Sequence, residues 1–394
     1  MSTRPSQAAA RRRDRRVYLR AHPILFALLA ATRGRPVRRF GRTLLVHDAA
    51  AYREALTRLP LDRTAAGTTG GAARAALTGE ACGAGGAGGV LFDQEGGAHR
   101  DGRRGLAVGL GAAGVEELRA VWRPLLVRRL APLARGGEVD LVELARELSG
   151  SVVCALLGSP SEPRAVAVAA AEAAAASVRD HLPGPPRPGG TSAAVRTADR
   201  LRVLLRPGPA TGSDTTAGSD TGSGCGHGSG DEALRAMLAV AAVNTTVAAL
   251  PRAVAWCADA GLWGDAADER LRPVLVGELL RVTSASPLLP RVAAADGAVG
   301  GCPVRGGDRL LLVARHAAEA HRRDPDARRP AAPGAAQLVF GAGPHACPGA
   351  RLARAQLADV LEELAPYRPV VTRARVDRRA ALPGWRSLQV RAGA

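Results

Sequence analysis

Residues 340–349 form a glycine-punctuated loop around one cysteine, and this loop constrains the chain more than any other segment. They read Phe-Gly-Ala-Gly-Pro-His-Ala-Cys-Pro-Gly and lead into an amphipathic stretch from Ala350 to Leu364. The glycines let the backbone turn tightly and bring the Cys347 thiol against a flat ligand. Because the thiol stands just before a predicted helix, the helix dipole and its unpaired amides favour the thiolate. A soft thiolate suits haem iron; the alternative is an inert cysteine in a turn.

The loop resembles the signature of the cytochrome P-450 family, the haem-thiolate monooxygenases, in its soluble bacterial type. Every fixed position of FGxGxHxCxG is matched, and Leu352-Ala353-Arg354 follows as in many members. The resemblance implies a mainly α-helical fold with small β-sheets (α+β). Haem b, iron protoporphyrin IX, would lie between the long central helix and the helix after the cysteine loop. The resemblance also implies that Cys347 binds the iron, within a cofactor-binding loop that includes Phe340, Gly341 and Gly349.

Four further residues match family positions that contact the haem propionates. His99 and Arg103 fit the pattern HxxxR at the start of a helix. One helical turn apart, the two side chains can point at one anionic edge, and the arginine fork suits a carboxylate. The resemblance adds Arg291 and His345 as two further propionate contacts. Taken singly, each of these residues could equally be a solvated surface side chain.

Glu278-Leu279-Leu280-Arg281 resembles the family's ExxR motif, about seventy residues before the cysteine loop. At this spacing on a helix, a carboxylate and a guanidinium are neighbours, and the arginine fork can hold a second segment. The resemblance assigns Arg329 as the third member of the ion-pair network. The stretch before Arg329 is shortened against the family pattern.

The central helix departs from the family at the residues that handle oxygen and its protons. The family carries A-G-x-acid-T there, whereas this chain has Ala241-Ala242-Val243-Asn244-Thr245. The hydroxyl of Thr245 is kept, Asn244 replaces the acid, and Ala242 adds a methyl group where the family has glycine. An amide cannot release a proton, but it can orient a water molecule. We assign these three residues to the catalytic site.

Two chemistries remain open at this stage. The resemblance implies a monooxygenase that activates O₂ to hydroxylate or otherwise oxidise a small secondary-metabolite intermediate. Asn244 leaves an alternative, in which the same haem performs nitrene-type C–N bond formation, dehydration or peroxide-driven oxidation. The substrate pocket is expected from residues 65–90, from Val240 to Thr246 and from Ser284 to Leu289.

The family's usual redox chain passes electrons from NAD(P)H through a ferredoxin reductase and a ferredoxin. An acidic ferredoxin would dock on the face behind Cys347, near Arg351 and Arg354, with Arg103 and Arg104 as further candidates. Electrostatic attraction would raise the encounter rate at low salt.

Composition adds little about function but excludes some classes. All 54 basic residues are arginine and the formal net charge is +18, which attracts acidic partners. Aromatic residues make up 3% and no binding module is recognisable, so we expect no nucleic-acid partner. The apolar stretch Pro23 to Thr32 is too short to span a bilayer, and we expect no membrane partner. The six cysteines lack any CxxC pair, which favours a reduced cytoplasmic protein, and we expect a monomer.

Along the chain, residues 1–20 read as a disordered basic tail and residues 21–394 as a single haem-binding catalytic domain. Residues 206–230 are of low complexity and predict a flexible loop within that domain. Strands are predicted from Pro36 to Val46 and around Arg309 to Val313. Asp231 to Ala260 is the predicted long central helix.

Overall fold

The structure, a computed structural model, describes residues 7–68, 70–71, 91, 94, 96–181, 190–208 and 227–393. Its helices are α1 (Gln7–Ala21), α2 (Pro23–Thr32), α3 (Ala49–Thr57), α4 (Gly96–Leu110), α5 (Ala112–Leu130), α6 (Leu141–Leu157), α7 (Pro163–His181), α8 (Gly190–Leu204), α9 (His227–Ala260), α10 (Trp263–Ala267), α11 (Arg272–Thr283), α12 (Ala314–Ala317), α13 (Pro333–Gln337) and α14 (Ala350–Leu364). The described chain is therefore mainly helical, as predicted.

The strands form three small sheets. They are β1 (Val37–Phe40), β2 (Thr43–Val46), β3 (Leu61–Asp62), β4 (Glu138–Asp140), β5 (Leu289–Ala293), β6 (Gly297–Val299), β7 (Cys302–Val304), β8 (Arg309–Leu312), β9 (Val370–Asp377) and β10 (Gly384–Arg391). The first sheet has the order β1-β2-β8-β5-β3, the second β4-β10-β9, and β6 pairs with β7. The strands predicted from Pro36 to Val46 and around Arg309 are both confirmed; the first region forms the β1–β2 hairpin, and β2 and β8 run parallel.

Helix α9 runs through the helical layer and is the long central helix that the sequence predicted. It begins at His227, four residues before the predicted start, and contains Pro251 without ending there. By length and composition, Asp231–Ala260 could cross a membrane. It packs against α6, α7 and α11, so it is the core helix of the fold. Its apolar face and that of α14 share one buried cluster.

The amino-terminal prediction is wrong for residues 7–20, which form α1 instead of a disordered tail. Asp14 and Tyr18 are buried on one face of this helix. Asp14 accepts two hydrogen bonds from the fully buried Arg252 of α9, at 2.8 and 2.6 Å, and one from Arg315 at 3.1 Å. Tyr18 donates to the carbonyl of Thr283 at 2.7 Å. A buried charge requires a partner, and Asp14 supplies it.

Two other predicted segments fall largely outside the described residues. Of the predicted flexible loop 206–230, residues 209–226 are not described, and residues 227–230 already belong to α9. Of the predicted pocket segment 65–90, most positions lie outside the described ranges as well.

Three histidines form a cluster beyond the ends of β2 and β8, in which His47 and His316 are buried and His321 is half-buried. His47 and His316 lie with their Nδ1 atoms 2.8 Å apart, and His47 Nε2 lies 3.1 Å from the Thr32 hydroxyl. The rings of His316 and His321 are 4.7 Å apart. Burial lowers the pKa of His47 to about 4. Burial, helped by the charges of Arg33 and Arg315, lowers the pKa of His321 to about 4 and that of His316 to about 2.

Candidate functional site

The cysteine loop is a tight turn that leads directly into α14. Gly341 and Gly343 have φ of 79° and 70°, a left-handed conformation that favours glycine. At Gly343 a Cβ would also lie 3.3 Å from the carbonyl oxygen of Leu56 in α3. The amide of Cys347 donates to the carbonyl of Phe340 at 2.7 Å, which closes the loop. The two glycines that the motif requires therefore have a conformational reason.

The Cys347 side chain is reachable by solvent, although many protein atoms surround it. That crowding raises the pKa of the thiol. The amide of Gly349 and the charges of Arg103 and Arg354 act in the opposite direction. A metal ion coordinated by the sulfur would outweigh the burial, because a coordinating thiol is deprotonated. The expected stabilisation of the thiolate is therefore present, but burial is the larger effect in this structure.

Cationic and imidazole side chains gather beside the cysteine. Arg103 donates to the carbonyl of Ala346 at 2.6 Å, one residue before Cys347. The rings of His99 and His345 stack with centroids 3.8 Å apart. Burial and the charges of Arg63, Arg291 and Arg103 lower the pKa of His345 to about 3. Burial also lowers the pKa of Arg291 to about 10. The structure thus brings together all four residues that the sequence assigned to propionate contacts.

This cluster fits the anionic edge of a haem. Three arginines and two histidines converge, and among the described residues no carboxylate shifts the pKa of His345 or Cys347. Arginine side chains form charge-assisted hydrogen bonds with carboxylates, so the two propionates of a haem bound at Cys347 would suit this set of cations. Arg63 is the member that the sequence analysis missed, since it follows the short strand β3 and belongs to no motif.

The oxygen-handling segment lies mid-way along α9, with its polar groups bonded to main chain. Thr245 Oγ1 donates to the carbonyl of Ala241 at 2.7 Å. Asn244 Nδ2 donates to Val240 at 2.8 Å within α9 and to Ala170 of α7 at 3.3 Å. Asn244 therefore joins two helices, and its side-chain oxygen is the atom left to accept a hydrogen bond.

Another side of this part of α9 contacts the large apolar cluster against which the start of the cysteine loop also packs. Val247, half a turn beyond Thr245, packs against this cluster, as does Phe340 at the start of the loop. Leu352 and Leu357 of α14 are buried members of it. Helices α9 and α14 thus contact the same apolar cluster.

The predicted ion pair between Glu278 and Arg281 is present and buried. Two hydrogen bonds of 2.8 Å join the side chains, which are 2% and 0% exposed. Arg281 also donates to the carbonyls of Ala318, Arg323 and Asp324. Glu278 accepts from the amides of Asp326 and Ala331. The pair therefore fixes the segment 318–331 by its backbone.

The prediction that Arg329 is the third member is wrong. Its side chain is 88% exposed, and its nearest carboxylate is Asp326 at 3.5 Å. Arg329 takes part through its carbonyl, which accepts from Arg323 at 2.9 Å. Backbone amides from the shortened segment occupy the carboxylate of Glu278 instead.

A groove of about 470 Å³ lies beside the loop, on the surface between α5, α11 and α14. Small apolar residues form most of its lining, with Arg351, Arg354 and Glu116 at its polar edge. Arg354 lies over the Phe340 ring at 4.6 Å and donates to Gln337 at 2.8 Å. Arg104, by contrast, forms an exposed ion pair with Asp101.

Comparisons with known proteins agree with this geometry. The open cytochrome P450 EryK from S. erythraea has a TM-score of 0.69 at 21% identity, over 94% of this chain and 96% of that one. The mycinamicin VIII C21 methyl hydroxylase MycCI from Micromonospora griseorubida has a TM-score of 0.66 at 24% identity, over 92% and 95%. The protein therefore has the fold of the bacterial cytochromes P450.

A curated relative links the sequence to the same class. The 20-oxo-5-O-mycaminosyltylactone 23-monooxygenase of Streptomyces fradiae is 31% identical over 273 residues. The match covers 65% of this chain and spans 62% of the relative's own length. No protein-family model matches the chain. The fold is therefore that of the cytochromes P450, and over part of its length the sequence is similar to a monooxygenase.

Proposed function

We propose that the protein is a haem-thiolate monooxygenase that oxidises a small secondary-metabolite intermediate. The observation that carries this proposal is the exposed Cys347 thiol, held in a glycine loop beside five cationic or imidazole groups. The similar proteins support the substrate class, since the curated relative is named for oxidation of a mycaminosyltylactone and MycCI for that of mycinamicin VIII.

The protein's own residues would have three tasks around the cofactor. Cys347 would bind the iron, and the side chains of His99, Arg103, Arg291, His345 and Arg63 would hold the propionates. When bound, the haem supplies the activation of O₂, of which one atom enters the substrate and the other leaves as water. Val247 and Phe340 belong to the apolar surroundings that exclude water from the site.

Proton delivery would depend on Thr245 and on ordered water. Asn244 cannot release a proton, and its N–H groups are used by Val240 and Ala170. Its side-chain oxygen can accept a hydrogen bond from a water molecule. The Thr245 hydroxyl, which donates to the Ala241 carbonyl, can accept from the same water and hold it in place, so that protons would come from the water chain. Asn244 then positions a water chain in place of an acid.

The groove beside the loop would receive the electron donor. Its apolar floor and the adjoining arginines Arg351 and Arg354 suit an acidic ferredoxin. In this proposal, NAD(P)H reduces a ferredoxin reductase, which reduces the ferredoxin. Raising the salt concentration would slow the transfer by screening the attraction.

Replacing the iron ligand tests the proposal directly. The reduced, CO-treated protein is expected to show the strongly red-shifted Soret band of a thiolate-ligated haem. Cys347→Ser should lose this band, whereas Cys302→Ala, at a half-buried cysteine of β7, should keep it. A Cys347→Ser protein with an unchanged spectrum contradicts thiolate ligation. Turnover of substrate without reductant and O₂ would contradict the monooxygenase assignment alone.

A further inference from the structure

Helix α2 presents an apolar stripe to solvent. Ile24 is 85% exposed and Leu28 44%, and Ala27 and Ala31 are exposed beside them. The spacing of three and four residues places all four on one side of the helix. The opposite side packs on the first sheet, where Leu29 is buried with Leu45 and Val313. The stripe is thus an outer surface of a helix that is already anchored.

The exposed side of α1 is basic and leads into this stripe. Arg12, Arg16 and Arg20 are exposed at intervals of four residues, and Ile24 and Leu28 continue the same interval. Only His22, whose backbone is not helical, separates the two helices; its amide bonds to Tyr18 and that of Phe26 bonds to His22. We call the surface of Arg12, Arg16, Arg20, Ile24, Ala27, Leu28 and Ala31 the N-terminal face.

The charge on the N-terminal face is not neutralised by the described part of the chain. Arg11 and Arg13, on other sides of α1, form ion pairs with Asp324 and Asp259. Arg12, Arg16 and Arg20 form none with any described carboxylate. Asp14 is the single acidic residue between positions 7 and 46, and it is buried. No charged residue occurs from position 21 to position 32.

We propose that the N-terminal face binds the surface of a bilayer rich in anionic phospholipid. The apolar stripe would enter the boundary between headgroups and acyl chains, and the arginines would bind the lipid phosphates. A helix of 10 residues is about 15 Å long, too short to span and suited to lie in the plane. The expectation of no membrane partner considered only spanning segments.

The arrangement favours lipid over other partners of a basic surface. Duplex nucleic acid would use the arginines, but it offers nothing for an uncharged stripe of leucine, isoleucine and alanine. A second copy of this chain could cover the stripe, but it would bring two unneutralised arginine rows together. An anionic bilayer satisfies both halves of the N-terminal face at once.

The test is sedimentation of the full-length protein with vesicles. Vesicles of phosphatidylglycerol and phosphatidylcholine in equal parts are compared with phosphatidylcholine alone, at low and high salt. We expect at least tenfold more bound protein on the anionic vesicles, and a loss of most binding at high salt. Equal binding to both vesicle types, or none to either, overturns the proposal.

Two variants and two controls separate the apolar and basic contributions. Ile24→Ser with Leu28→Ser should reduce binding at least tenfold, whereas Val203→Ser, at an exposed valine of α8, should not. Arg16→Ser with Arg20→Ser should weaken binding and flatten its salt dependence, whereas Arg378→Ser with Arg379→Ser should not. Circular dichroism checks that each variant is folded.

Two other outcomes also contradict the proposal. If duplex DNA is bound as tightly as the vesicles, and Ile24→Ser with Leu28→Ser leaves both affinities unchanged, the N-terminal face is a polyanion site. If the wild-type protein is a dimer by light scattering and that same variant is a monomer without change in vesicle binding, the stripe is an interface between copies. Neither readout depends on the proposed oxidation.

Discussion

At the scale of single residues, the environment of Cys347 was largely predictable, because residues in three separate segments match family positions that contact one cofactor. His99, Arg103, Arg291 and His345 gather beside it as expected. Arg63 was not predictable, since its charge reaches His345 through the fold and not through local spacing. A sequence motif identifies residues with a fixed local spacing. It does not identify a residue such as Arg63, which matches no motif and reaches the site only through the fold.

Arg281 and Arg329 were both predicted to belong to the ion-pair network, but their environments differ. Arg281→Ala leaves Glu278 buried without its cation, and we expect a loss of about 3–5 kcal/mol in the free energy of unfolding. Arg329→Ala removes an 88% exposed side chain, and we expect a change within about 0.5 kcal/mol. Denaturant unfolding of the two variants measures both. A loss of stability for Arg329→Ala as large as that for Arg281→Ala would show that the Arg329 side chain does belong to the network.

At the scale of elements, α1 shows why composition misled the sequence analysis. Six arginines between positions 11 and 20 suggest a solvated tail. The buried residues Ala10, Asp14, Val17 and Tyr18 nevertheless recur at helical spacing. That periodicity was present in the sequence, but a carboxylate in the middle of the stripe concealed it. Its partner Arg252 lies 238 positions away, which no local pattern reveals.

The Asn244 contact joins α9 to α7, and its removal should loosen α7. Asn244→Ala removes the hydrogen bond to the Ala170 carbonyl, and we expect about 1 kcal/mol less stability with faster amide exchange in Pro163–His181. Amide exchange in α14 should be unchanged. Asn244→Asp should have a larger effect on α7, because a carboxylate cannot donate to that carbonyl. Hydrogen–deuterium exchange by mass spectrometry measures amide exchange in both helices. Unchanged exchange in α7 would contradict a stabilising role for the Asn244 contact.

At the scale of the whole molecule, the fold class followed from the sequence, but the connections that unite distant segments did not. His47, His316 and His321 contribute nothing recognisable to any motif, yet they join the end of β2 to α12 and the turn that follows. Their tautomers follow from the neighbouring groups. Thr32 donates to the Leu28 carbonyl, so it accepts from His47 Nε2, and His316 Nδ1 then donates to His47 Nδ1.

This histidine cluster should make the stability of the protein sensitive to acid. The folded-state pKa values lie at about 4 for His47 and His321 and at about 2 for His316, below the ordinary 6.5. The unfolded chain therefore binds more protons between pH 6.5 and pH 4. The contribution of the cluster to the free energy of unfolding is fully present above pH 6.5 and falls as the pH drops toward 4.

His316→Asn tests the contribution of one member. Each histidine that is neutral when folded and protonated when unfolded contributes roughly 1.4 kcal/mol per pH unit in that range. The variant should have a shallower slope of unfolding free energy between pH 6 and pH 4.5, by about one proton. At pH 8, where no histidine titrates, the difference in unfolding free energy between the two proteins measures the packing cost of the substitution alone. Parallel slopes for the two proteins would contradict a titrating cluster.

The carboxylate of Asp14 has a practical consequence for anyone who shortens this protein. Trimming an arginine-rich leader is a routine way to improve expression, and here it would delete the counter-ion of two guanidinium groups. Arg252 is enclosed on all sides, and Arg315 stacks on the same Tyr18 ring at 4.2 Å. Both cations would lose the carboxylate that they share. Helix α1 therefore stabilises the core through this carboxylate, and a shortened version of the protein should keep the whole helix.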